Sequence, residues 1–272
     1  MENKNAKIIN RPLVNTFGWL HANGAAVENA AEPTETKLSL KEGEEKILIA
    51  ENALKLKATV AKGANLKLIH LRRENKGTQI SDIDVTCDND AEFSWYRIIL
   101  GGDESYDNCS VKLEGEGSAF NARIGFRLKG AERLDINCES IHTGKRTVSD
   151  IKGSGVLSDK AFKKLNGTID FRSGCAGAVG NEAEDVLLLS ESVHNQSLPV
   201  ILCSEEDVVG NHGATIGRLD ENLIYYLETR GMEKEEITRM MAKARVDAII
   251  SSLPDGALRK ELLGEEGEDG LE

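Results

Sequence analysis

Short stretches of alternating apolar and polar residues recur from about residue 36 to residue 203. Such a period of two is the pattern of a strand with one buried face. Leu54, Leu56, Ala58 and Val60 follow it, as do Ile83, Val85 and Cys87, then Cys109, Val111 and Leu113. Ile124, Phe126 and Leu128 continue it, followed by Leu134, Ile136 and Cys138, then Ile169 and Phe171, and last the Val186–Leu189 and Val200–Leu202 runs. Turn residues separate the segments, for example Gly101-Gly102, Gly115-Glu116-Gly117 and Asn166-Gly167. An all-β body follows. Periodicity leaves two architectures open, an antiparallel sandwich or barrel and a coiled parallel β-helix, and the size of the region favours the solenoid.

The pattern changes after Gly217. Asp220 is placed to N-cap a helix carrying Leu223, Ile224 and Leu227, and Gly231 stands where a glycine ends it. A second helix is expected from about Glu233 to Leu253, with apolar residues from Ile237 to Ile249 at three- and four-residue spacing and Pro254 as its stop. Asp255 to Leu263 reads as a short third helix. The expected organisation is an N-terminal extension over 1–29, a β-helix core over 30–217, a helical domain over 218–264 and a disordered acidic tail over 265–272.

Composition narrows the function classes. With 34 Lys plus Arg against 46 Asp plus Glu, the net charge is -12, and such a surface repels nucleic acid. No apolar run approaches the roughly 20 residues of a membrane span. The N-terminus lacks the apolar stretch of a signal peptide, so a cytoplasmic protein with reduced thiols is expected. The five cysteines, Cys87, Cys109, Cys138, Cys175 and Cys203, form no C-x-x-C pair, so a metal site would need distant residues or two chains.

The block from Asp207 to Asp220, DVVGNHGATIGRLD, continuing through Tyr225-Tyr226-Leu227-Glu228-Thr229-Arg230-Gly231, resembles the C-terminal signature of the SufB/SufD scaffold proteins of the SUF iron–sulfur assembly system. Val186-Leu187-Leu188-Leu189-Ser190 and Ser197-Leu198-Pro199-Val200 have the spacing of the strands that precede it in that family, and the segment from His142 to Gly153 is a third, weaker match. The resemblance covers residues 120 to 255. It implies a right-handed parallel β-helix followed by a small C-terminal α-helical domain, a non-enzymatic scaffold on which an iron–sulfur cluster is built transiently, a second SufB/SufD-type protomer, and docking of a SufC-type ABC ATPase onto the helices. The cysteine that SufB-type proteins carry before the Leu-rich strand falls on Glu184, which brings the chain closer to SufD or to a minimal scaffold acting as a homodimer. The chain is shorter than the long members, so their N-terminal helical region is expected to be largely absent.

His212, between Asn211 and Gly213 on a turn or strand edge, is the first candidate ligand, because a neutral imidazole binds iron. Cys203 ends what reads as the last strand before it. Cys175, in Gly174-Cys175-Ala176-Gly177, is expected to be exposed near a turn, and Glu184 to offer a carboxylate ahead of a buried strand. Cys87, Cys109 and Cys138 share the inward phase and are expected to pack as small hydrophobes. Met232, Met240 and Met241, with Tyr226 and Arg230, form the expected partner surface, unless the methionines cap the β-helix instead. Two rival functions stand beside the scaffold. One is an adaptor solenoid without a cluster. The other is a polysaccharide-cleaving β-helix using Asp82 and Asp84, roughly 7 Å apart on one strand face, against which stand the missing secretion signal and the aromatic content of 4%.

Overall fold

The computed structural model describes residues 7–10, 24–27, 33–73 and 76–268. Fourteen of its strands coil into a parallel β-solenoid. One seven-stranded sheet holds β3 (Glu35–Leu40), β5 (Lys55–Val60), β7 (Thr78–Cys87), β9 (Glu104–Leu113), β11 (Arg133–His142), β13 (Phe162–Phe171) and β15 (His194–Cys203). The other holds β4 (Glu45–Glu51), β6 (Asn65–Arg72), β8 (Glu92–Ile99), β10 (Ala119–Leu128), β12 (Val148–Leu157), β14 (Ala178–Leu188) and β16 (Val208–Gly217). Consecutive strands therefore lie in opposite sheets, and each pairs with the strand one rung away. This settles the choice between solenoid and sandwich.

Parallel stacking brings like residues into columns. Cys109 and Cys138 are Cα partners, as are Ala122 and Ile151, so the inward residues of successive rungs form one apolar column from Leu40 to Val186. Cys87, Cys109 and Cys138 lie in it as free thiols, as their phase predicts. At one corner six successive rungs turn through a left-handed residue, Gly43, Gly63, Asp90, Gly117, Arg146 and Gly177, the last joined by Gly174. The turns stack by backbone bonds such as Asp90 N–H to the Glu116 carbonyl at 2.8 Å. At Gly115 a Cβ would overlap the backbone of Asn89, so only glycine lets these turns approach.

The solenoid's outer faces are also used. Helices α1 (Glu221–Glu228), α2 (Lys234–Ile250) and α3 (Gly256–Glu268) follow the last rung, and the expected N-cap is present, with Asp220 accepting from the Asn222 N–H. The third helix runs past the expected boundary at 264, and residues 269–272 of the expected tail lie outside the described residues. Val246, Ile249, Ile250, Leu253 and Leu262 pack on Ile69, Leu71 and Ile98 of the second sheet and on Leu100 just past β8. Most of the expected N-terminal extension also lies outside the described residues; within it β1 (Lys7–Ile9) and β2 (Ala25–Val27) pair antiparallel and cover Ile80 and Tyr106 on the first sheet. Asp82 and Asp84 do share the outer face of β7, where Asp82 accepts from Asn108 at 2.8 Å within a ladder that continues to Asn137. No described helix is long and apolar enough to cross a membrane.

Candidate functional site

The inward column changes character at its C-terminal end. On β14 the inward positions read Gly180, Glu182, Glu184 and Val186, and β13 contributes Lys163, Leu165 and Gly167 from the opposite sheet. Two carboxylates and an ammonium therefore replace hydrocarbon inside the barrel, which is tolerated only if they meet. Lys163 Nζ is ion-paired with Glu184, both side chains almost fully buried, and also donates to Ser197 Oγ at 3.2 Å. Burial holds the Lys163 ammonium below its ordinary range while Glu184 opposes that shift. Glu182 is less well compensated. Its carboxyl is pushed up to about 7, first by burial and then by Glu184, with Lys163 pulling the other way. Its Oε2 has no hydrogen-bond partner, and Gly167 makes room for it, since a Cβ there would overlap the carboxylate.

Above this cluster lies the last rung, formed by β15 and β16, and no described strand continues either sheet. His212 is on β16 itself, in the middle of Val208–Gly217, rather than on a loop. Its Cα partner on β14 is Glu182, whereas Glu184 pairs with Ala214. Gly210 lies against Ile201 and Phe171, which fixes its inward phase, and His212, two residues on, shares that phase. The imidazole thus belongs to the inner face of the final rung, directly over Glu182, and is exposed because nothing described follows. Cys203, at the end of β15, pairs with Phe171, is exposed, and donates from Sγ to the Glu205 carbonyl at 3.1 Å. His212 and Cys203 are therefore two groups of one open end, brought there by opposite sheets.

Two expectations need correction. Cys175 is not exposed. It is buried with Ile169, Phe171 and Ala178, because the corner that carries it stacks between neighbouring rungs, and burial raises its thiol pKa. Glu184 is not ahead of a strand but within β14, where its carboxylate is engaged by Lys163. Sequence reasoning missed Lys163 and Glu182; the inward phase from Gly180 through Val186 marks Glu182, and that from Leu165 through Phe171 marks Lys163. Among the described residues no group of three His, Cys, Asp or Glu side chains is close enough to hold a metal ion. His142, in the column below, is engaged by Thr147 Oγ1 at 2.8 Å and Ser149 Oγ at 2.9 Å.

The helices leave a second exposed region. Leu223, Tyr225 and Tyr226 on α1 are exposed, and Arg230 stacks over the Tyr226 ring at 5.1 Å. Met240 is exposed, and Met232 and Met241 are half-buried. The methionines do not cap the end of the solenoid. Instead α2 lies along the outside of β10 and β12, so close that a Cβ at Gly125 would press on Ile249 at 3.1 Å.

The pattern of the SUF system FeS cluster assembly, SufBD core domain, matches residues 34–245. The iron–sulfur cluster assembly protein SufD of Bacillus subtilis is 27% identical over 174 residues, 64% of this chain and 40% of that protein. SufD of Escherichia coli is 26% identical over 211 residues, 77% of this chain and 50% of that protein. A SufBD family protein of Mycobacterium tuberculosis is 23% identical over 251 residues, 91% of this chain and 28% of that protein. The chain thus spans half or less of the length of these relatives. The matched region runs from the first rung of the solenoid through both sheets and into α2, and on this agreement of pattern and fold the chain belongs to the SufBD family of SUF-system iron–sulfur cluster assembly proteins.

Proposed function

We propose that the open C-terminal end of the solenoid is where an iron–sulfur cluster is assembled, with His212 as its principal protein contact. The observation that carries this reading is the position of an exposed imidazole on the inner face of an uncapped rung, above the buried Glu182, Lys163 and Glu184. A neutral imidazole donates a lone pair to iron, and a thiolate binds it as a softer ligand. Cys203 lies at the same end and can join as that thiolate. Cys175 and Glu184 are buried, so either would contribute only once the end rearranges. The cluster is cargo here, made and passed on. The protein's part is to position ligands, not to catalyse.

A rung with two free edges and exposed Val209 and Ile216 is completed most simply by another rung. A second SufB/SufD-type protomer, identical or not, would supply it and bring further ligands opposite His212. The α1 surface with Tyr226 and Arg230, together with Met232, Met240 and Met241, suits docking of a SufC-type ATPase, whose movements would reach the solenoid through α2. In this division of labour the rungs over 30–217 act as scaffold and the helices over 218–264 as docking unit. All five cysteines are free thiols, as a cytoplasmic setting requires.

The test is iron and sulfide content after anaerobic co-expression with the SUF partners. His212→Ala is expected to fold normally, because the side chain is exposed, and to lose most of its cluster. Unchanged iron and sulfide in the folded variant would refute the site and leave an adaptor role.

A further inference from the structure

Two of the buried cysteines meet. Cys109 on β9 and Cys138 on β11 are Cα partners and share the inward phase, so their side chains stack one above the other in the apolar column. Both are free and fully buried. The Cys138 thiol lies against that of Cys109 and, after burial, is what raises the Cys109 pKa most. Cys87, although in the same column, stands between Val60 and Leu113 instead.

Neighbouring strands of a sheet are about 4.8 Å apart. Two metal–sulfur bonds of about 2.3 Å placed end to end span nearly that distance. Stacked thiols can therefore hold one metal ion between them with little movement, in a line of sulfur, metal and sulfur. Two donors are too few for zinc, which takes four, and thiols are the wrong donors for calcium or magnesium, which take oxygen. They suit a soft ion, and thiolates select cuprous copper. Charge points the same way. Within the column the neighbours of the pair are Ile83 on one side and Gly167 on the other, so an unbalanced charge there is costly. Cuprous ion bound to one thiolate and one thiol is neutral, and its binding releases a single proton with no change of oxidation state.

We infer that Cys109 and Cys138 form a buried two-sulfur site for cuprous ion. The site is separate from the cluster end, because Gly167 and Pro199 continue the column beyond Cys138 and the rungs of β13 and β15 lie between. A bound ion ties β9 to β11 and stiffens the middle of the solenoid. Entry requires the rungs to open locally and is slow.

The probe is cuprous ion itself, supplied without oxygen as its bicinchoninate complex so that a single surface thiol does not hold it. After overnight incubation the parent chain is expected to keep one ion per chain through gel filtration. Its X-ray absorption should show two sulfur neighbours and no nitrogen or oxygen. Cys109→Ala and Cys138→Ala should each lose the ion, with folding checked by circular dichroism, and Cys87→Ala should keep it. Failure of the parent chain to take up the ion would overturn the inference. So would retention by either folded alanine variant at Cys109 or Cys138. Loss of the ion on Cys203→Ser would overturn it by placing the metal at the open end, as would a nitrogen neighbour in the spectrum. Where an alanine variant does not fold, the spectrum of the parent chain decides.

Discussion

The middle rungs and the last two are built on one repeat but filled differently. Between β7 and β12 the column is mostly hydrocarbon, with Phe93 and Phe120 stacked at 5.6 Å and nearly parallel, thiols serving as small apolar groups, and His142 as a polar exception. Burial pushes the Cys87 thiol up to about 12, and burial together with the neighbouring Cys138 thiol raises Cys109, so neither ionises under ordinary conditions. Between β13 and β16 the same inward positions hold Lys163, Glu182, Glu184 and His212, and the final rung is open. A repeat needs hydrocarbon where it must only hold together. Where it has chemistry to present, it accepts charge and an exposed edge at the expense of stability.

The comparison can be broken most directly by truncating side chains in each region. Phe120→Ala removes a fully buried ring from the middle column and is expected to destabilise by about 3–5 kcal/mol. Ile201→Ala in the last rung, already half-exposed, should cost roughly 1–2 kcal/mol. Urea unfolding of the two variants measures the contrast, and equal losses would show that the end is as tightly held as the middle. Next in size is the buried pair. Lys163→Ala leaves two carboxylates without their cation and is expected to cost about 3–5 kcal/mol, whereas Lys163→Met combined with Glu184→Leu should recover most of that loss. If the double variant is no better than the single one, the charges are integral to the fold of this end rather than a replaceable insertion.

The two regions also differed in how far they could be read from residues alone. Alternation in Ile83-x-Val85-x-Cys87 or Leu134-x-Ile136-x-Cys138 marks the middle strands plainly, because hydrocarbon in the inward phase needs no partner to explain it. Whether such strands pair with sequence neighbours or one rung away is a long-range fact, so periodicity alone did not separate solenoid from sandwich. In β14 the inward phase carries Glu182 and Glu184, which look like a solvated turn until Lys163 arrives from the other sheet. The apolar run therefore marks the strand only from Val186, although it begins at Ala178. Gly174-Cys175-Ala176-Gly177 has the composition of an exposed turn, yet neighbouring rungs cover it, with Gly177 N–H bonded to the Asp207 carbonyl at 2.6 Å. His212 was found by family resemblance. Its neighbour Glu182 could be recognised only through register.

A pH measurement sharpens the contrast within the middle rungs. Burial lowers the His142 pKa from 6.5 to about 4, so the folded state keeps the ring neutral while the unfolded chain binds a proton below about 6.5. The unfolded state thus holds more protons between these values, and stability falls as pH drops through that window. The full difference is about 3 kcal/mol, present above pH 6.5 and lost progressively towards pH 4. His142→Asn, which cannot titrate, should show a flatter stability profile between pH 7 and pH 5 than the parent. Parallel profiles would mean that the ring is not held neutral by the column.

A further expected effect concerns the space left for Glu182. Gly167 is the Cα partner of Cys138 on one side and Pro199 on the other, so the column that carries a thiol in one rung carries no side chain in the next. The missing side chain is where the Glu182 carboxylate sits. Gly167→Ala is expected to destabilise by about 1–3 kcal/mol, since the carboxylate must move against packed neighbours. The cause is separable from backbone effects, because Gly167 lies within β13, where alanine is ordinarily at least as well tolerated as glycine. In Glu182→Ala protein the added methyl has room, and the same substitution should become neutral or slightly stabilising. A double-mutant cycle by urea unfolding then yields a coupling of about 1–3 kcal/mol. A coupling near zero would place the carboxylate elsewhere and remove the cluster's main steric support beneath His212.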